Sequence, residues 1–320
     1  MADAEAPGTR SGDDAGTAPD GRDPVRGGGA RVVVTLAWVA RAAWVLVAVA
    51  GGGAVEAAVD GRSSGVRWVA AVGGWAAFGA VALALLVPSV RSLTVVRVVA
   101  PLSIGATIAT AVAGAPGLDV ALLGVPAVVT VAVVTSAEIG RWMVQASAYG
   151  DEDRLPLRAP VAAGAAAVVA WLLWAPCALL GPLALGAQRW VPGVVLTALA
   201  VGGAAFLAPR WHRLARRWLV LVPAGLVVHD PVVLADTLML RTAQVAGVGL
   251  APAGTGAADL TGPASGYALE VTAREQVTTV LAFTPKAPNG TALHLTAFLV
   301  APSRPGAALR LAAARRLPLT

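Results

Sequence analysis

Six long apolar stretches constrain this chain more than any other feature. They lie near residues 42–59, 66–87, 98–115, 120–137, 161–187 and 190–208, and run 18, 22, 18, 18, 27 and 19 residues. A helix needs about 20 apolar residues to cross a bilayer, roughly 17–25. Only helices and closed barrels satisfy their own backbone in lipid, and these runs are far longer than a barrel strand of about 10 residues. The expected fold class is therefore an α-helical membrane bundle of six transmembrane helices over residues 31–208. Charged residues are 13% of the chain, against about 25% in soluble domains.

The arginines orient the bundle. With the start of the chain on the inner side, Arg10, Arg22, Arg26, Arg31, Arg41, Arg91, Arg97, Arg141, Arg154, Arg158, Arg210, Arg213, Arg216 and Arg217 face inward. Only Arg62, Arg67 and Arg189 face outward, a ratio of 14 to 3. The positive-inside bias then places both ends of the chain in the cytoplasm of a multi-pass protein of the cell membrane. This placement requires Arg41 and Arg97 to sit at the inner interface, snorkelling, with Trp38 and Trp44 in the aromatic belt.

There is one lysine, Lys286, against 23 arginines. With the heavy Ala, Gly, Pro and Val usage, this resembles an actinobacterial-type, GC-rich composition. The net charge of +6 is then explained by topology, and no nucleic-acid partner is expected. The lone Cys177 forms no intrachain disulfide and excludes a cysteine zinc site. Residues 1–30 carry six acids and three arginines among Gly, Ala, Asp and Pro. They have no apolar periodicity, so a disordered tail without a cleavable signal peptide is expected.

Within the membrane half, Trp174-Ala-Pro176-Cys-Ala-Leu-Leu-Gly181-Pro182 interrupts the fifth stretch. Broken helices can mark transport sites, but a kinked packing helix is the plainer reading. Glu138 and Arg141 are three apart and are expected to pair on one helix face. Asp151, Glu152 and Asp153 lack calcium-loop spacing and read as a solvated turn.

The pattern changes at Pro209. Residues 209–217 form a basic juxtamembrane anchor, with Arg210, Arg213, Arg216 and Arg217 at the headgroups. Residues 218–320 then read as a cytoplasmic β-rich domain. Strands are expected at Trp218–Val222, Leu226–His229, Thr237–Arg241, Gln244–Leu250, Tyr267–Thr272, Gln276–Phe283 and Ala292–Val300. Pro223-Ala-Gly225, Ala273-Arg-Glu275 and Pro285–Gly290 are expected turns, and residues 252–266 a Gly- and Ala-rich loop. A final helix is expected after Ser303, its N-cap, with Pro305 in the first turn. This order of seven short strands and a C-terminal helix, together with the hairpin Arg217-Trp-Leu-Val-Leu-Val-Pro-Ala-Gly-Leu-Val-Val-His229, resembles the bacterial pleckstrin-homology-like fold. The resemblance implies a bent β-sandwich with no catalytic residues, which binds or scaffolds at a membrane.

His229, Asp230 and Asp236 are the one compact cluster that could do acid–base or metal chemistry. Asp230-Pro231 is also ordinary turn chemistry, which is the reading adopted. No Ser–His–Asp set, phosphate loop or zinc spacing occurs. The expectation is a non-enzymatic binding or scaffolding protein with no cofactor or metal. Its partners would be membrane lipids and a cytoplasmic or membrane protein. The alternatives are a transporter or channel subunit working at the fifth span, or a membrane-bound enzyme using His229 and Asp236.

Overall fold

The computed structural model describes residues 24–282 and 290–320. Six helical segments in it are long and apolar enough to cross a membrane: Arg31–Val59, Ser64–Leu86, Val90–Val112, Gly117–Thr135, Val161–Gly186 and Trp190–Ala215. The first takes in α1 (Pro24–Val49) from Arg31 onward and α2 (Gly52–Val59). The second is α3 (Ser64–Leu86). The third comprises α4 (Val90–Val99) and α5 (Leu102–Val112), interrupted at Pro101. Then follow α6 (Gly117–Thr135), a short amphipathic α7 (Ala137–Gln145), α8 (Val161–Gly186) and α9 (Trp190–Ala215). The tail expected to be disordered lies outside the described residues up to position 23, and α1 begins at Pro24.

The first and third segments start well before their purely apolar stretches, which places Arg41 and Arg97 inside helices. Both guanidiniums find helix C-termini, where carbonyls lack partners and the dipole favours a cation. Arg41 donates to Leu85 O through Nε and Nη2 (3.2 and 2.9 Å) at the end of α3. Arg97 Nε donates to Val134 O (3.3 Å) at the end of α6. Trp38 is exposed, whereas Trp44 is buried and donates to Phe78 O (2.9 Å). The aromatic-belt expectation thus fails for Trp44. Six residues from Trp38, about 1.7 turns of helix, it faces the bundle core with Ala37 and Ala40.

The fifth segment is not broken. α8 runs through Pro176 and Pro182 without interruption. Surrounded by apolar surface, the remaining amides have no better partners than the helix itself. α8 packs along α9, and a side chain at Gly181 would collide with Thr197 N (2.7 Å from an added Cβ). Such close approach at small residues is the usual way membrane helices pack. The helices leave large apolar side chains exposed, among them Val72, Trp75, Leu173, Val194 and Phe206, an exterior that suits lipid.

The β-rich part contains two four-stranded sheets and a final helix. One sheet has the order β1-β2-β3-β4, the other β5-β7-β8-β6. Its strands are β2 (Trp218–Val222), β3 (Gly225–His229), β4 (Leu238–Arg241), β5 (Val245–Leu250), β6 (Ala258–Asp259), β7 (Leu269–Leu281) and β8 (Thr291–Val300), followed by α10 (Pro305–Ala314). The strand β1 (Asp153–Pro156) comes from the connection between the fourth and fifth membrane segments. It pairs antiparallel with β2, Leu155 opposite Leu219. Leu155 and Leu157 enter the same core as Leu221, Leu240, Phe298 and Leu317. Pro156 is tolerated because β1 is an edge strand.

Other expectations are corrected. β7 is one strand through Ala273-Arg-Glu275, where a bulge shifts the register with β8 between Thr272 and Val277. That tripeptide has no Gly, Asn or Pro to make a tight turn, so the extra residues bulge instead. The Gly- and Ala-rich loop contributes β6, which lies parallel to β8. The end of the Gln276–Phe283 strand and the 285–290 turn, apart from Gly290, fall outside the described residues. The Pro223-Ala224 turn holds, and Gly225 adopts φ +151°. A Cβ there would lie 2.0 Å from Leu240 O of β4. Ser303 is not the N-cap of α10. That position is Arg304, and Ser303 Oγ donates to Pro156 O (2.9 Å).

Candidate functional site

The junction between helices and sheets is the place to look for chemistry. The acids 151–153 are a latch there, not a solvated turn. Arg315, just beyond α10, donates to Asp151 (2.7 Å) and Asp153 (2.9 Å), and Arg154 donates to Glu152 (2.7 Å). Glu138 pairs with Arg304 and not with the expected Arg141, so α7 is tied to the start of α10. The i,i+3 rule sees only local partners. A partner 166 positions away is outside its reach.

The four basic residues of the expected anchor go to four different places. Arg210 is exposed and folds back onto its own helix, donating to Phe206 O (2.5 Å). Arg213 Nη2 donates to Pro231 O (2.7 Å) and so ties α9 to the loop after β3. Arg216 is exposed at the junction. Arg217 is not at the headgroups, because its side chain is fully buried. It makes a two-pronged pair with Asp230, Nε to Oδ1 at 2.7 Å and Nη2 to Oδ2 at 2.5 Å. It also donates to Arg158 O and Thr261 O. Asp230 Oδ1 further accepts the N–H groups of Val232 and Val233 (3.1 and 3.2 Å). A guanidinium fork fits a carboxylate in this way, and a buried pair needs all its remaining donors and acceptors satisfied. Arg217 is drawn inward because these loops offer it that complete set.

The His229, Asp230 and Asp236 cluster is thereby dispersed. Asp230 is committed to Arg217, and Asp236 is exposed. His229 stacks on Trp218 with ring centroids 4.9 Å apart, and its Nδ1 lies 3.1 Å from Thr237 Oγ1. Its Nε2 is buried without a partner. Among the described residues no group of three His, Cys, Asp or Glu could hold a metal.

Burial first, and then the neighbouring Arg216, hold the His229 imidazole below its ordinary pKa of 6.5. The folded protein keeps this ring neutral while the unfolded chain protonates it. The stability gained is complete above about pH 6.5 and is lost as pH falls through that value towards the lowered one. Thermal unfolding in detergent should therefore shift down between pH 7 and pH 5.5. The His229→Gln variant should show a smaller shift over the same interval. An identical shift in the variant would exclude His229 as its source.

Beside Trp218 a cavity of about 260 Å³ opens between bundle and sheets, lined by Ser89, Val90, Arg91, Ser147, His212, Arg216 and Trp218. Three chain segments build it. Ser89 caps α4, accepting from Ser92 N (3.0 Å), which puts Arg91 in the first turn. Ser147, after α7, accepts from Val90 N (3.2 Å). His212 and Arg216, four residues apart, share one face at the end of α9. Thr94 Oγ1 lies 3.2 Å from Val90 O and 2.9 Å from His212 Nδ1. If the hydroxyl proton goes to the carbonyl, Nδ1 carries the ring proton. Among the described residues, no carboxylate lines the cavity.

Of these residues, sequence reading singled out Arg216 as a site residue, and only as part of an anchor. Arg91 could not have been connected to it, since no local pattern links positions 125 apart. No family model, curated protein or solved structure matches the chain.

Proposed function

We propose that this chain is a multi-pass protein of the cell membrane, both ends cytoplasmic, that holds a β-rich domain against the inner leaflet. In this reading it is a non-enzymatic binding or scaffolding protein, whose partners are membrane lipids and a cytoplasmic or membrane protein. The carrying observation is the shared strand β1. It makes the domain an extension of the bundle, held in one position beside the ends of the helices. The six apolar segments support the membrane part, and the 14-to-3 arginine bias supports the orientation. Two sheets closed by a final helix are in keeping with the pleckstrin-homology-like resemblance. The non-enzymatic part draws support from Asp230, whose carboxylate is occupied by Arg217. The unbroken α8 leaves the transporter alternative without its motivating break.

Cysteine accessibility tests this. In a Cys177→Ala background, Ser64→Cys in intact cells should react with a membrane-impermeant maleimide. Ala314→Cys, exposed on α10, should react only after permeabilisation. The reverse pattern would move the domain to the other side and overturn the inner-leaflet reading.

A further inference from the structure

The geometry points to the cavity between α4, α9 and β2 as a phosphate-binding site formed by Arg91 and Arg216. The phosphate would be that of an anionic lipid headgroup or of a soluble phosphate compound. The inference deepens the proposed binding role and rests on that reading for the side of the membrane, but not for the chemistry.

Around the junction Arg41, Arg97, Arg154, Arg213 and Arg217 each donate to a carbonyl or carboxylate. Among the described residues, the Arg91 and Arg216 side chains have no hydrogen bond or ion pair, and both line the cavity. Both guanidiniums are exposed along one hollow that no carboxylate lines among the described residues, so their like charges repel each other, weakened by solvent. A shared anion relieves that repulsion, and a phosphate can accept from both forks.

The rest of the wall is suited to the same ligand. Ser147 Oγ accepts from Val90 N, which leaves its own proton for a ligand oxygen. The first turn of α4, a ten-residue helix, contributes the partial positive charge of its N-terminus. A volume of about 260 Å³ exceeds the ~30 Å³ share of one water several-fold, so a hydrated phosphate group has room. Val90 begins one apolar segment and Ala215 ends another. The two arginines therefore sit where these two helical segments meet the sheets, just outside the purely apolar stretches 98–115 and 190–208.

The test uses the purified full chain in a neutral detergent. The readout is the ligand-dependent rise in unfolding temperature, which reports binding to the folded state. Three probes are titrated: inorganic phosphate, dioctanoyl phosphatidylglycerol, and dioctanoyl phosphatidylcholine as a zwitterionic control. A saturable rise with phosphatidylglycerol alone assigns the site to a lipid headgroup. A saturable rise with inorganic phosphate assigns it to the phosphate group itself. Arg91→Gln and Arg216→Gln should each weaken the effective probe on the order of tenfold, one charge-assisted contact being lost. Arg210→Gln, exposed and bonded to its own helix, should leave it unchanged. The Arg91→Lys and Arg216→Lys variants keep charge but lose the fork, and should fall between. No saturable rise with either anionic probe would overturn the proposal. So would equal weakening in Arg210→Gln, or full binding in an Arg91→Gln/Arg216→Gln double variant. Because the assay is blind to orientation, a failed cysteine-labelling result would refute the inner-leaflet reading while leaving this site standing.

Discussion

Replacing Arg217 with methionine should destabilise the β-rich domain by about 3–5 kcal/mol, the usual consequence of leaving one member of a buried ion pair alone. Asp230 would keep the N–H groups of Val232 and Val233 but lose both guanidinium bonds. Arg158 O and Thr261 O would each lose a donor. Limited proteolysis of the detergent-purified protein should then cut within residues 218–320 at temperatures the parent resists. The double change Arg217→Met with Asp230→Leu should recover much of the loss, because it removes the stranded charge. Recovery should be incomplete, since an unsatisfied buried backbone group still costs about 1–3 kcal/mol. If Arg217→Met alone melts like the parent, the side chain is not where the structure places it.

The second large effect concerns β1. Leu155→Ala should cost about 2–5 kcal/mol, the range for truncating a buried leucine, since Leu155 is buried in the core with Leu219 and Phe298. A fragment of residues 209–320 should do worse. It lacks Leu155 and Leu157, exposes the hydrogen-bonding edge of β2, and loses the Arg315 latch to Asp151 and Asp153. We expect it to aggregate or to unfold without a cooperative transition. Joining residues 147–160 through a flexible linker to 216–320 should give a soluble, cooperatively melting protein. Cooperative melting of the shorter fragment at the same temperature would show that β1 is dispensable.

Local signals were readable where one segment carries its own constraint. The apolar segments announce themselves by length, and Pro223-Ala-Gly225 announces a hairpin because only glycine fits opposite Leu240 O. What escaped notice depends on distant partners. Asp153-Arg-Leu-Pro156 is too short to show alternation, and its strand character comes from Trp218–Val222. The run Arg210, Arg213, Arg216, Arg217 looks uniformly basic. Whether each member meets solvent, a carbonyl, a cavity or Asp230 is decided by loops far along the chain. Trp44 and Trp38 look alike for the same reason, although six residues of helix turn one inward and leave the other outside.

The shared strand also bears on how the protein is made. Between β1 and β2 the chain passes through α8 and α9, two largely apolar helices of 26 residues each. The first sheet therefore cannot close during synthesis until both helices have left the ribosome and come to rest. In the proposed membrane setting, inserting just one of the two would strand β1 and β2 on opposite faces of the bilayer. Closure of the sheet is thus conditional on correct insertion. A misinserted chain would present an unfinished, protease-sensitive domain, which gives a cell the means to tell the two apart.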